Sequence, residues 1–224
     1  MPVPSFWSNE FLVNSTTASD QYDPHVTAFD DGRFAVVYGD ASGANGVAGT
    51  FGEAVDARIR YFDADSTPLG DDMSLGTETA LHSLPSIAWL EGGRAAVVWS
   101  DFTLDSSNSE VRVRLFGDDG AAWGPDVQVN ASTTVYEDDA RVVGLVGGGF
   151  VVVWTADDSQ GGGGDIYAQM FNSFGDPMGP QLTIESDLGD QDQPEVAPLA
   201  DGGFAIVWRD ASGLSSGDGD LGAI

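Results

Sequence analysis

The chain contains no cysteine and no lysine, and only two histidines. Without cysteine, neither a disulfide framework nor a thiolate metal site can form. Its cations are eight arginines set against 36 carboxylates, a formal charge of −28. Phosphate contacts need clustered Lys and Arg, so nucleic acid is excluded as a partner. No run of about 18 apolar residues occurs, which excludes a membrane-spanning helix. Met1 to Glu10 has no basic region and no apolar core, so it does not read as a secretory signal peptide. What remains is ample for a folded domain. The chain has 224 residues, 42% of them hydrophobic, and its 30 glycines punctuate short β-branched runs.

Those runs repeat. Gly32-Arg33-Phe34-Ala35-Val36-Val37-Tyr38 returns as Gly93-Arg94-Ala95-Ala96-Val97-Val98-Trp99, as Gly149 to Trp154 and as Gly203 to Trp208. A second motif closes on Phe62, Phe116 and Phe171, with the same period of about 55 residues. Each period reads as four short strands. The first covers Pro24 to Phe29, Pro85 to Leu90, Arg141 to Val146 and Pro194 to Leu199. The second is the Val-rich run, apolar on successive residues and so expected to be buried on both faces. The third ends in Phe, and the fourth is short, as in Asp126 to Asn130 and Gln181 to Glu185. Asp30-Asp31-Gly32, Glu91-Gly92-Gly93 and Asp201-Gly202-Gly203 supply hairpin turns between the first two strands. No segment of helical length carries a 3.6-residue pattern, so the fold is expected to be all-β.

Four-stranded units of this length are the mark of β-propeller blades. A single domain over 1–224 is expected, with repeats near 18–75, 80–130, 137–185 and 191–224 plus 6–14. The last term follows from the ends of the chain. Glu10 to Thr17 parallels Val127 to Thr134, a fourth strand, whereas the final repeat stops at Asp220 to Ile224, within its third. Four blades of four antiparallel strands, with the N-terminal strand completing the last blade, is the expected architecture. Part of a larger ring, an intermolecular assembly, a solenoid and a sandwich are the alternatives.

Gly148 to Trp154, Asp165 to Phe171 and Gly175 to Gly179 carry a repeat that resembles one in very large RTX-type bacterial proteins, calcium-binding and adhesin-like, exported by type I systems. The resemblance covers residues 10–224. It implies a secreted or cell-surface module without an N-terminal signal. The tandem Gly-Gly-x-Gly-x-Asp array of RTX proteins is not present, only fragments at Gly161 to Asp165 and Gly217 to Asp220.

Calcium takes six to eight oxygen ligands on a Gly-bent loop. Asp157, Asp158 and Asp165, and Asp210, Asp218 and Asp220, are the candidate ligands for Ca2+ in the loops between second and third strands. No loop has the full Asp-x-Asp-x-Asp-Gly spacing, and solvated acidic loops are the competing reading. Asp20, Asp23, Glu78, Glu137 to Asp139 and Glu185 to Asp192 fall in loops on the same predicted face, which should then attract cations and repel anionic glycans. Glycoside hydrolysis needs two carboxyls at a set separation, one with its pKa raised by burial. Nothing in the sequence selects that pair from 36, so no enzyme is expected.

Gly213 to Gly217 matches Gly-x-Ser-x-Gly but lacks the following helix and a later His, and is coincidence. His25 and His82 read as local hydrogen-bonding residues, and Tyr38, Trp99, Trp154 and Trp208 as packing between blades. The functional expectation is a non-catalytic binding, adhesion or spacer module with an unidentified protein or glycan ligand. A hydrolytic, carbohydrate-active propeller and a structural repeat that self-associates through unpaired terminal strands are the alternatives.

Overall fold

The computed structural model describes residues 10–42, 56–76, 80–103, 108–131, 135–157, 163–186 and 189–211. Within them the chain forms strands and turns only. The first repeat gives β1 (Gln21–Ala28), β2 (Phe34–Asp40), β3 (Asp56–Phe62) and β4 (Met73–Ser74), paired in that order as one antiparallel sheet. The second gives β5 (Ala80–Leu90), β6 (Arg94–Thr103), β7 (Ser109–Gly117) and β8 (Ala122–Gln128). The third gives β9 (Tyr136–Gly144), β10 (Phe150–Asp157), β11 (Gly164–Phe171) and β12 (Leu182–Glu185), and the fourth gives β13 (Gln191–Pro198) and β14 (Phe204–Asp210). The strand order and the period are those read from the sequence.

The sheets stack in sequence order. Strands β1, β5, β9 and β13 lie each against the next and form the inner edge, whereas β4, β8 and β12 lie at the far edge beside their own third strands. Apolar side chains fill each gap. Ala35, Val37 and Ile59 of the first sheet meet Ile87, Val97 and Trp99 of the second. Val98, Val113 and Leu115 meet Val142, Val152 and Trp154 of the third. Val151, Val153 and Ile166 meet Ile206, backed by Phe204 and Trp208. The second strands β2, β6 and β10 are therefore buried on both faces, as their unbroken apolar runs demand.

The inner strands begin earlier than expected. Pro24, Pro85 and Pro194 do not start them. Each follows a residue with positive φ, namely Asp23 (47°), Leu84 (51°) and Gln193 (52°), and Asp139 (51°) holds the same place before Ala140. At these points the register slips, so that two residues of the inner strand oppose one on its neighbour. The opposed residue is Tyr38, Trp99, Trp154 or Trp208 in turn. A proline tolerates such a bulge because no ladder hydrogen bond needs its missing N–H. The recurring aromatic and the recurring Pro thus belong to one structural device.

Residues 10–14 lie in no strand. They nonetheless reproduce the tail of β8. Asn14 donates to Gln21 Oε1 at 2.8 Å, as Asn130 donates to Glu137 Oε2 at 2.5 Å. The Ser15 N–H reaches Asp72 at 2.9 Å, as the Ala131 N–H reaches Gln181 at 2.9 Å. The parallel seen in the sequence is a parallel of contacts. The expected completion of the last blade involves residues 6–9 and 212–224, which lie outside the described residues. Among the described residues the fourth sheet has two strands.

Candidate functional site at the inner strand ends

Every inner strand continues past its bulge toward the same end of the stack. This places in strands acids that the sequence assigned to loops. Glu137, Asp138 and Asp139 belong to β9, and Asp192 to β13. Burial lifts the Asp138 carboxyl to about 7, helped by the negative charges of Asp139, Asp192 and Asp157 and opposed by Arg141. Burial likewise raises Asp139, where Asp192 and Asp23 add to the effect and Arg141 and the Gln193 backbone N–H oppose it. His25 of β1 is pushed down by burial and by Arg141 of β9, against the pull of Glu195 of β13 and Asp23. Groups on β1, β9 and β13 therefore share one field. Arg141 spans the gap, its Nε 3.1 Å from Glu195 Oε1.

One layer deeper, Glu137 is buried and its carboxyl is lifted to about 8, chiefly by desolvation, with Asn130 donating to it. The Ser109 hydroxyl bonds both its backbone N–H, at 2.6 Å, and its carbonyl, at 2.5 Å. The residue in register on β13 is Gln191, fully buried, with no hydrogen-bond partner for its side-chain amide. Its carbonyl sits where a Cβ on Gly164 would fall, 2.6 Å away. Ser109 and Gly164 occupy equivalent positions. One bonds the next inner strand through a side chain, and the other lets its backbone approach directly.

Carboxylates farther from the axis serve the sheets themselves. In the first sheet the Arg58 guanidinium lies 2.8 Å from Asp40, 3.3 Å from Asp56 and 2.9 Å from Asp72, all four nearly buried. Tyr38 donates to Asp72, and Ser74 to Asp56 at 2.6 Å. Burial acts to raise the Asp72 carboxyl. Hydrogen bonds from Tyr38 and Ser15 and the charge of Arg58 overcome it and hold the group below the usual range. In the second sheet Arg112 faces Asp101, Glu110 and Asp126 at 3.8, 2.5 and 3.5 Å. In the third the arginine position is Tyr167, which donates to Asp165 at 3.2 Å.

The proposed calcium ligands are only partly brought together. Asp157 ends β10 opposite Gly164, and Asp165 stands on β11 opposite Ala156. Successive residues of a strand point to opposite faces, so Asp157 and Asp165 lie on different sides of one sheet. Asp210 ends β14 opposite Gln191, one sheet away. Asp158, Asp218 and Asp220 lie outside the described residues, as does the Gly213 to Gly217 match. Among the described residues no three His, Asp or Glu side chains converge on a point that would hold a metal ion.

Sequence reasoning named Asp23, Asp138, Asp139 and Asp192 as loop acids without singling them out, and it gave Arg141 and Glu195 no role. The available signal was the residue before each Pro, which marks a bulge and a strand continuing beyond it.

No known family matches the chain, and no curated protein matches it. Solved structures do. A protein of unknown function from Dyadobacter fermentans is 12% identical with a TM-score of 0.65, over 88% of this chain and 59% of that one. The endo-arabinase of Bacteroides thetaiotaomicron is 15% identical with a TM-score of 0.58, over 91% and 75%. The GH93 α-L-arabinofuranosidase of Fusarium graminearum, in complex with arabinobiose, is 11% identical with a TM-score of 0.60, over 94% and 63%. The chain thus spans about 59% of the first of these and 63% of the last. The shared feature is the β-propeller fold, built here of four-stranded antiparallel sheets. The resemblance to RTX-type secreted proteins has no counterpart in these comparisons.

Proposed function

We propose that this propeller binds a neutral glycan where its inner strands converge, as a module of a secreted or cell-surface protein. The observation that carries the reading is the set Asp138, Asp139 and Asp192 on neighbouring inner strands, with one carboxyl lifted to about 7. Near neutral pH the Asp138 carboxyl offers an O–H donor beside the acceptor oxygens of Asp139 and of Asp192, the latter held by Arg209, which suits sugar hydroxyls. The surrounding negative charge disfavours uronates and sialic acids. The arabinobiose complex of the GH93 enzyme makes neutral arabino-oligosaccharides the first ligands to try.

Titration calorimetry with neutral arabino-oligosaccharides and with oligogalacturonides is the test. Binding of the neutral set alone, weakened at least about tenfold in Asp138→Asn, agrees with the proposal. Absence of binding to any neutral oligosaccharide on a glycan array overturns it.

Asp138 also supports a second, hydrolytic reading. A carboxyl with a raised pKa beside a second carboxyl is the arrangement of an acid and its partner in glycoside hydrolysis. Release of new reducing ends from arabinan, lost in Asp138→Asn, would establish it. Binding without release leaves a non-catalytic module.

A further inference from the structure

Among the described residues, the stack leaves two apolar sheet faces exposed, and they are counterparts. On the outward face of the fourth sheet Val207 is 43% exposed. The residues in register with it, Val37, Val98 and Val153, are 0% exposed because the next sheet covers them. Ala205 beside it corresponds to Ala35 and Ala96, both fully buried. On the front face of the first sheet Val26 is 66% exposed, whereas Ile87 and Val142, in register with it, are 7% exposed under the preceding sheet. Among the described residues the first and fourth sheets leave these two positions exposed rather than packed on each other.

The front face of the first sheet is otherwise finished as an interface. Phe11 packs on Phe34 and Phe62, and Val13 joins Val36, Tyr38 and Phe62, as Val129 joins the cluster on the third sheet. A recess of about 280 Å3 lined by Val13, Gln21, Pro24, Val36 and Tyr38 stays open beside Val26. A patch of this kind on an otherwise strongly acidic surface marks an interaction site.

We infer that the chain associates with a second copy of itself, head to tail, the outward face of the fourth sheet packing on the front face of the first. The argument is continuity. Three internal contacts already use this pair of faces, small and β-branched residues against Val, Ile and an aromatic, and the free faces present the same residue types in the same register. Because the faces differ, the contact is heterologous, and the pair keeps one free face of each kind, one on each copy. Like charge on the copies opposes approach at low salt, and screening over about 8 Å at physiological ionic strength relieves it.

Size-exclusion chromatography with light scattering tests this on the full chain. The wild type is expected to gain mass with concentration, more so as salt rises. Val26→Asp spoils one face and Val207→Asp the other. Both side chains are exposed, so each variant keeps its circular dichroism and melting profile, and each loses self-association by more than about tenfold. Mixed in equal amounts, the two variants still share one intact pair of faces. They form a dimer and nothing larger, a result that a symmetric contact cannot produce. A wild type that stays monomeric up to its solubility limit overturns the inference, as does Val26→Asp associating like the wild type.

Discussion

The first and third sheets place the same strands in the same register and fill them with opposite chemistry. Where the first has Asp40, Arg58 and Asp72, the third has Ala156, Tyr167 and Gln181. Where the first has Gln21, the third has the buried Glu137. The first sheet therefore gathers its carboxylates around a guanidinium, which helps hold Asp72 below the usual range. The third raises Glu137 and Asp138 by burying them, with neighbouring acids adding to the effect. A single backbone plan accommodates both because the aromatic and the bulge, not the polar residues, set its geometry.

The signs of their pH responses differ accordingly. Asp72 is depressed in the folded chain, so its contribution is present above the ordinary carboxylate pKa and fades on acidification. Glu137 and Asp138 are raised, to about 8 and about 7, so their contribution is full below the ordinary range and fades as pH climbs through those values. Hydrogen exchange should find the first sheet opening first in acid and the third opening first in mild alkali.

The largest expected single effect is at Arg58. Arg58→Met strands three buried carboxylates and should cost about 3–5 kcal/mol in urea unfolding. A loss under 1 kcal/mol would mean the cluster is wetter than its burial implies. Next comes Glu137→Gln, which gives the third sheet the amide of the first. It should flatten the fall in melting temperature between about pH 5 and 8, leaving the share due to Asp138, and an unchanged slope would count against Glu137 as a titrating group. Arg112→Met removes a more exposed guanidinium, and chemical denaturation should register about 1 kcal/mol or less. Tyr167→Phe deletes one hydrogen bond to Asp165 and should cost about 0.5–1.5 kcal/mol by the same measurement.

Much of this plan is legible in the chain. The Val-rich runs closing on Tyr38, Trp99 and Trp154 predict strands buried on both faces, and they are. The parallel between Glu10 to Thr17 and Val127 to Thr134 is visible in the sequence, and in the structure Asn14 and Asn130 each donate to the residue seven positions on. The inner strand starts were misjudged because proline usually opens a strand, whereas here it is the second residue of a bulge. That error moved Asp138, Asp139 and Asp192 into loops and hid their meeting.

The opening absences also acquire places. With no lysine, eight arginines must serve 36 acids. Arg58 and Arg112 lie inside sheets, Arg141 reaches from β9 to Glu195 of β13, and Arg209 of β14 pairs with Asp192. Repeat period, strand count and double-sided burial follow from the sequence because they depend on local spacing and polarity. Which carboxyls are charged, which stay protonated, and which apolar faces lack a cover depend on neighbours about 55 residues or more away, and only tertiary packing supplies those.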